Sequence, residues 1–151
     1  MPLRVYDTRT REKRELSTLE EGKVSMYVCG ITPYSPSHLG HARCYLAFDV
    51  VHRWLEASGY DVDYVQNFTD IDDKIINISD SEGVDFSVVA NRNIDDYLEA
   101  MDAMNVLRAD LYPRVTEAIP EIIDMISKLQ ERGHAYVGDD GVYFEIDTAP
   151  E

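Results

Sequence analysis

A thiol and two histidines lie close together in one short stretch, CGITPYSPSHLGH, which runs from Cys29 to His41. A thiolate can bind a soft metal ion such as zinc, and imidazole N–H groups can donate hydrogen bonds to phosphate oxygens. His38 and His41 are three residues apart, so on a helix they would share one face. Gly40 lies between them and removes a side chain where a flat group could come close. At a helix start, this pattern is typical of a nucleotide site.

Simpler interpretations compete with this one. A helix that begins with polar residues would also place histidines near its start, and a lone cysteine is more often a small buried apolar side chain than a ligand. The stretch lacks the Gly-Lys-Ser/Thr of a Walker loop and the G-x-G-x-x-G of a dinucleotide fold. A position at the carboxyl end of a strand favours a ligand role for Cys29, whereas Cys44 keeps the interpretation of a core or helix-surface residue.

The elements around this stretch predict a right-handed strand–helix–strand unit. Residues 24–29 form a nearly continuous apolar run, which predicts a strand buried on both faces. A helix is expected over 38–58 and a second strand over 62–68, so the two strands should be parallel. Ligands of such sheets bind at the carboxyl ends of the strands, where Cys29 and Gly30 lie. The core-facing stripe of the helix is predicted to be Leu39, Ala42, Leu46, Val50 and Leu55.

The remaining pattern predicts hairpins at both ends of the chain and three further helices. The hairpins cover 3–17 and 134–146, and the helices cover 70–78, 86–107 and 115–132, with Pro120 in a first turn where proline is tolerated. The run TDIDDKII could be a cluster of metal ligands or a helix start with capping acids, and both interpretations stay open.

Composition limits the function further. The chain has 151 residues, of which 44% are hydrophobic and 28% charged, within the range of a single globular domain. The net charge of -15 opposes phosphate backbones and argues against nucleic-acid binding by this segment alone. Such acidity would suit a salt-rich cytoplasm, in which case added KCl should raise the melting temperature. Without a secretory signal, a membrane-length apolar run or a Cys-x-x-Cys pair, the protein is expected to be cytoplasmic, away from membranes, with free thiols.

Two motifs resemble one enzyme family. PYSPSHLGH is similar to the His-Ile-Gly-His signature of class I aminoacyl-tRNA synthetases, with Leu39 at the isoleucine position. MYVCGITPYSPSHLGHAR and YVQNFTDIDDKII together resemble the N-terminal part of cysteinyl-tRNA synthetases, and the resemblance covers nearly the whole chain. It implies an α/β fold, the first half of a Rossmann-like nucleotide-binding domain with a parallel sheet over 1–110. The start of a connective insertion, a helix plus a hairpin, would then occupy 111–151.

The resemblance also implies an activity and a site. Members of this family activate L-cysteine with ATP, taken up with Mg²⁺, to cysteinyl-adenylate, and then transfer it to tRNA(Cys). His38 and His41 would be the catalytic residues, stabilising charge on the α-phosphate, and His38, Gly40 and His41 would bind ATP. Cys29 would be a zinc ligand, with zinc binding the substrate thiolate directly. The remaining substrate-binding residues would be Gly30, Thr32, Tyr34 and Thr69.

Other parts of the family's site are not found in this sequence. The remaining zinc ligands and the second ATP loop, Lys-Met-Ser-Lys-Ser, come in the family after the position that matches residue 151. The chain is therefore expected to be a truncated fragment that is inactive alone, unless a separate C-terminal half completes it. Two alternatives stay open: the related ATP-dependent cysteine ligase of mycothiol biosynthesis, and a non-catalytic nucleotide-binding paralogue.

Overall fold

The computed structural model describes residues 3–149 and begins with a small exposed hairpin. Strands β1 (Arg4–Asp7) and β2 (Glu12–Glu15) pair antiparallel. The Asp7 carboxylate closes the turn by accepting hydrogen bonds from Arg9 N (2.9 Å) and Thr10 Oγ1 (3.0 Å). The predicted N-terminal hairpin is therefore confirmed.

The centre of the fold is a parallel strand pair joined by a long helix. Strand β3 (Lys23–Val28) leads through a loop into α1 (Leu39–Ala57), and β4 (Asp61–Gln66) then pairs with β3 in parallel. The predicted strand–helix–strand unit is confirmed. In the register, Val28 lies opposite Gln66, so both strands end at the same level. The residues that follow them, Cys29 and Asn67, consequently begin their loops side by side.

A segment after the third helix runs along the other edge of β4. Val65 and Phe68 form parallel bridges with Leu111 and Arg114. Gln66 N donates to the Leu111 carbonyl at 3.0 Å, and Phe68 N donates to Pro113 at 2.9 Å. Strand β4 is thus flanked on both edges, which holds its carboxyl end rigidly.

The predicted burial of β3 on both faces is wrong. Val28 is buried and Met26 is half-buried, but Tyr27 on the opposite face is 63% exposed. The strand alternates in burial because only one of its faces packs against the described core. Its uninterrupted apolar letters therefore hid a period of two.

The predicted stripe of α1 is wrong at three of its five positions. Ala42 and Leu55 are buried, whereas Leu39, Leu46 and Val50 are 86%, 38% and 65% exposed. Apolar side chains surround this helix, so their spacing alone selects no single face. The face that is buried carries Ala42, Tyr45, Asp49, His52 and Leu55.

Two of these buried residues are polar, and Asp49 has a structural role. Its carboxylate accepts hydrogen bonds from Arg53 Nε at 2.8 Å and from the Leu107 N–H at 2.9 Å. It therefore ties α1 to the segment that follows the third helix. His52 is also buried, with its ring edge-on to Tyr64 at 5.2 Å between centroids.

Helix α2 (Asp73–Glu82) begins three residues later than predicted. Asp72 is its N-cap and accepts from Lys74 N at 2.9 Å. Asp70 instead is buried and accepts from Thr116 N at 3.0 Å and Thr116 Oγ1 at 2.6 Å. The acids of this run are thus divided between a cap and a buried tertiary contact.

Helix α3 (Phe86–Ala103) contributes five residues to the two core clusters. Val89, Ile94 and Met101 are buried, and the helix ends before the expected residue 107 because Asn105 adopts a left-handed conformation (φ 58°). The main core cluster consists of Val28, Ile31, Tyr45, Tyr64, Phe68, Ile94, Tyr97, Met101 and Ala109. Ile75, Val89 and Ala90 form a second cluster.

The last part of the described chain is a helix and a hairpin. Helix α4 (Ile119–Glu131) has Pro120 in its first turn, as predicted, and is followed by β5 (Ala135–Val137) and β6 (Val142–Phe144), which pair antiparallel. None of the residues described in α4, β5 or β6 is fully buried. No helix within residues 3–149 is both long and apolar enough to cross a lipid bilayer.

Candidate functional site

The two histidines of the opening motif form a stacked pair at the start of α1. Their ring centroids are 3.9 Å apart and their planes differ by 15°. His38 Nδ1 accepts a hydrogen bond from the Gly40 N–H at 3.1 Å, and His41 Nδ1 accepts one from the His38 N–H at 3.4 Å. Each histidine thus caps a backbone donor of the first turn.

These hydrogen bonds fix the chemistry of both imidazoles. Because both Nδ1 atoms accept from the backbone, each neutral ring carries its proton on Nε2, which is then a hydrogen-bond donor. Burial, and next the nearby charge of His38, lower the pKa of His41 below its ordinary value. The first turn of α1 contains no acidic residue of its own, so its free N–H groups can attract an anion. The arrangement can hold an anion with neutral donors.

Gly40 is required by the histidine cap itself. A Cβ atom at this position would lie 2.9 Å from His38 Cε1 and 3.0 Å from His38 Nδ1. The missing side chain therefore gives the His38 ring room to fold back over the helix start. This packing is a reason for glycine that the motif alone did not indicate.

The end of β3 meets the end of β4 at a very close approach. A Cβ atom on Gly30 would lie 1.4 Å from the Asn67 carbonyl oxygen, so only glycine fits there. The Gly30 N–H donates to Asn67 Oδ1 at 2.8 Å. One step further along, the Thr69 N–H donates to the Ile31 carbonyl at 3.0 Å. The two loops are thereby joined residue by residue.

The structure brings Cys29 next to α1 as well. Cys29 is exposed immediately after β3, and its carbonyl oxygen accepts from Tyr45 Oη at 3.2 Å. Tyr45 lies one helical turn beyond His41 and is buried. The strand end and the histidine helix are therefore linked directly. Burial raises the pKa of the Tyr45 hydroxyl, which remains protonated and can donate. The other thiol, Cys44, is exposed on α1.

The remaining predicted site residues lie on the loop between β3 and α1. The Thr32 carbonyl accepts from Tyr34 N at 2.9 Å, which turns the chain. The Tyr34 ring packs against the second core cluster and lies under Lys74 Nζ, 4.8 Å from the ring centroid. Tyr34 also lines a cleft between this loop and helices α2 and α3.

Two side chains of α3 hold this loop in place. Asn93 Nδ2 donates to the Pro33 carbonyl at 3.1 Å, and the Ser37 N–H donates to Asp96 Oδ2 at 2.7 Å. The loop therefore has a fixed path between the strand and the histidines. Sequence reasoning missed these two residues because their partners lie about sixty positions away. It also missed Asn67, although an amide directly after a strand at the sheet's carboxyl edge was an available signal.

The zinc ion predicted at Cys29 would need further ligand side chains close to this thiol. Across residues 3–149, no group of three or more His, Cys, Asp or Glu side chains is arranged to hold a metal ion. A catalytic zinc takes about three protein ligands. Cys29 with its described neighbours therefore does not fit a complete zinc site, and the carboxylates of the TDIDD run form no such cluster either.

The chain is similar to known proteins in sequence and in fold. Residues 15–151 match the family model described as the tRNA synthetases class I (C) catalytic domain. The chain is 56% identical over 146 residues to a cysteine–tRNA ligase of Thermococcus onnurineus, covering 97% of this chain and 31% of that protein. It is 54% identical over 149 residues to the Pyrococcus furiosus cysteine–tRNA ligase, covering 99% and 31%. For that of a Cyanothece species the identity is 50% over 151 residues, covering 100% and 31%.

The chain thus spans about a third of the length of these curated relatives. Among solved structures, it resembles Mycobacterium tuberculosis methionyl-tRNA synthetase in complex with methionyl-adenylate, with a TM-score of 0.65 and 25% identity. That match covers 74% of this chain and 23% of the other. The α/β fold with parallel strands, predicted as Rossmann-like, is confirmed.

Proposed function

The chain belongs to the family of tRNA synthetases class I (C) catalytic domains, and we propose that it forms the first part of a cysteine–tRNA ligase. The whole protein would join L-cysteine to ATP, giving cysteinyl-adenylate and pyrophosphate, and then transfer cysteine to tRNA(Cys). One observation carries the proposal: Tyr45 of α1 donates to the carbonyl at the Cys29–Gly30 strand end, and the stacked histidine pair lies at the start of the same helix. The identity of 50–56% with cysteine–tRNA ligases supports it.

The nucleotide side of the proposed site is the start of α1. His38 and His41 would donate from Nε2 to the α-phosphate of ATP, and Gly40 would lie against the adenine. As the cysteine carboxylate attacks the α-phosphorus and the bond to pyrophosphate breaks, negative charge would grow on the α-phosphate oxygens, and Mg²⁺ bound with ATP would offset charge on the pyrophosphate. Donors that are already oriented stabilise that charge without further reorganisation. Both imidazoles are held by backbone hydrogen bonds, which supports this role.

The amino-acid side is the strand end and its loop. Gly30, Thr32, Tyr34 and Thr69 would line the cysteine site, and Cys29 would supply one thiolate to a zinc ion. The described residues do not complete a zinc site, so further donors would have to come from outside residues 3–149. The exposure of Cys29 at the joined loop ends supports a role in contact with a ligand.

The chain would divide into two parts of the catalytic domain. Residues 1–110 would form the first half of the Rossmann-like domain, and residues 111–151 would begin the inserted segment. Transfer RNA would be read by another part of the whole protein, on the same chain or on a separate C-terminal half. The net charge of -15 supports this, because these 151 residues alone repel a phosphate backbone.

The first experiment tests the chain by itself. We expect the 151-residue chain to bind ATP weakly and to give no cysteine-dependent exchange of pyrophosphate into ATP. Near-normal exchange rates would contradict this expectation.

The second experiment restores the missing part. The chain would replace the matching third of the Pyrococcus furiosus cysteine–tRNA ligase, to which it is 54% identical. We expect the chimera to exchange pyrophosphate with cysteine but not with serine, and to lose exchange on His38→Ala or His41→Ala. A folded chimera that exchanges with no amino acid would point to a non-catalytic paralogue.

The coding sequence beyond codon 151 gives an independent test. An in-frame continuation with a Lys-Met-Ser-Lys-Ser loop would support the synthetase. An expressed product that couples cysteine to an amino sugar, and not to tRNA, would instead identify the mycothiol-type ligase.

A further inference from the structure

The peptide group between Cys29 and Gly30 is held at both of its polar atoms. Its carbonyl oxygen accepts from Tyr45 Oη at 3.2 Å, and its N–H donates to Asn67 Oδ1 at 2.8 Å. The two partners come from different elements, Tyr45 from α1 and Asn67 from the loop after β4. Hydrogen bonds from opposite directions fix the rotation of this peptide plane, and with it the direction of the Cys29 side chain.

Both partners are themselves immobilised. Tyr45 is 4% exposed, and its ring packs edge-on against Tyr97 with 5.1 Å between centroids. Asn67 follows Gln66, which is 2% exposed and donates from Nε2 to Tyr97 Oη at 2.7 Å. Tyr97 therefore packs against Tyr45 and accepts a hydrogen bond from Gln66, the residue that precedes Asn67.

Asn67 also reaches a second residue of the predicted substrate site. Its Nδ2 donates to Thr69 Oγ1 at 3.4 Å, while its Oδ1 holds Gly30. The Gly30 contact assigns the amide orientation, since a reversed amide would point a donor at the Gly30 N–H. One side chain thus connects three positions along the two loops.

We propose that Tyr45 and Asn67 are positioning residues that hold the Cys29 thiol in its direction at the sheet edge. Neither touches a reacting atom. They act through the Cys29–Gly30 peptide, so their loss should loosen Cys29 while leaving the histidine cap in place. The consequence for cysteine binding rests on the proposed function, whereas the fixed position of Cys29 does not.

Spin labelling of the full 151-residue chain tests the position directly. A nitroxide on Cys29, in a Cys44→Ala background, reports the mobility of that site in the electron paramagnetic resonance spectrum. We expect Tyr45→Phe and Asn67→Ala each to narrow the central line. Asn67→Asp keeps an acceptor oxygen for the Gly30 N–H and should restore the broad line.

Two controls separate positioning from general destabilisation. Tyr112→Phe removes another tyrosine hydroxyl, one that accepts from the Ala109 N–H at 2.9 Å and forms no hydrogen bond with the Cys29–Gly30 peptide, Asn67 or Gln66. It should lower the melting temperature without narrowing the Cys29 line. A label on Cys44, in a Cys29→Ala background, should be unaffected by all of these changes. An unchanged Cys29 line in Tyr45→Phe, or equal narrowing in Tyr112→Phe, would overturn the proposal.

Kinetics of the chimera add the functional readout. Tyr45→Phe should raise the KM for cysteine about fivefold, the effect of one hydrogen bond of about 1 kcal/mol, and leave the KM for ATP unchanged. Equal rises in both values would overturn the assignment to the cysteine side. An inactive parent chimera would contradict the proposed function alone, because the spectra of the labelled chain do not depend on catalysis.

Discussion

Two strand–helix junctions, β3 to α1 and β4 to α2, begin at the same level of the sheet. They differ in the charge of the side chains at the helix start. After β3, the chain crosses a proline-containing loop and enters α1 with His38 as N-cap. After β4, a shorter loop enters α2 with Asp72 as N-cap and Asp73 in the first turn. Carboxylates neutralise the positive end of α2, whereas imidazoles leave that of α1 available. The comparison indicates that only the first junction can hold an anion.

The junctions also differ in what fixes them. The first is held from outside its own segment, by Tyr45, Asn67, Asn93 and Asp96. The second contains its own cap, and its buried Asp70 holds the segment at Thr116. Rigid support of this kind is expected where side chains must be oriented before a ligand arrives.

The largest effect is expected where the two junctions touch. Gly30→Ala would place a methyl group 1.4 Å from the Asn67 carbonyl oxygen, so the loops must separate. We expect a loss of about 3 kcal/mol in the free energy of unfolding, measured by urea denaturation. Gly141→Ala is the matched control, since a Cβ atom there meets nothing within 4 Å. Equal, small losses in both variants would show that the junctions do not meet this closely.

The caps give the next effect. His38→Ala and Asp72→Ala each remove one capping acceptor and should cost about 1 kcal/mol of stability. The two substitutions should differ in their effect on the affinity for an anion. His38→Ala should weaken ATP binding by the chimera, because a donor is lost, while Asp72→Ala should not. Titration of the two variants with ATP would measure this, and equal weakening in both would refute the electrostatic contrast.

A smaller effect concerns pH. The pKa of His41 is lowered in the folded state, by burial first. The unfolded chain therefore binds a proton more readily, so stability is full above the ordinary imidazole pKa of about 6.5 and falls as pH drops below it. His41→Asn keeps an acceptor near the Nδ1 position and should flatten this part of the profile. Urea midpoints between pH 7.5 and 5.5 would measure the difference, and parallel profiles would exclude His41 as its source.

The smallest effect is expected at Leu39, the first residue of α1. Its side chain is 86% exposed, so Leu39→Ala should change the free energy of unfolding by less than about 0.5 kcal/mol. At the second junction, Ile75 in the first turn of α2 is completely buried, and Ile75→Ala should cost about 3 kcal/mol. Thermal unfolding of the two variants would compare them. A large loss at Leu39 would mean that this face of α1 is covered in the folded chain.

Much of the site was predictable because its parts are local. The histidine spacing, the glycine between them and the strand that ends before Gly30 all lie within residues 23–41. The N-caps of the two helices, His38 and Asp72, likewise depend on residues close to them in the sequence. The core side of α3 was also predictable, because its apolar residues keep to one face. The metal and substrate roles of Cys29, Thr32, Tyr34 and Thr69 stay predictions.

The order of elements, the parallel unit and the position of the histidines at a helix start follow from residue type and spacing alone. Tertiary structure decided which side of α1 is buried, because apolar residues surround that helix and only packing selects among them. It also decided the partners of the Cys29–Gly30 peptide, which lie 16 and 37 residues away. Hydrogen bonds over such separations depend on the register of β3 with β4 and on the docking of α1. A linear pattern reports side-chain type and spacing, whereas those two alignments arise only when the chain is folded.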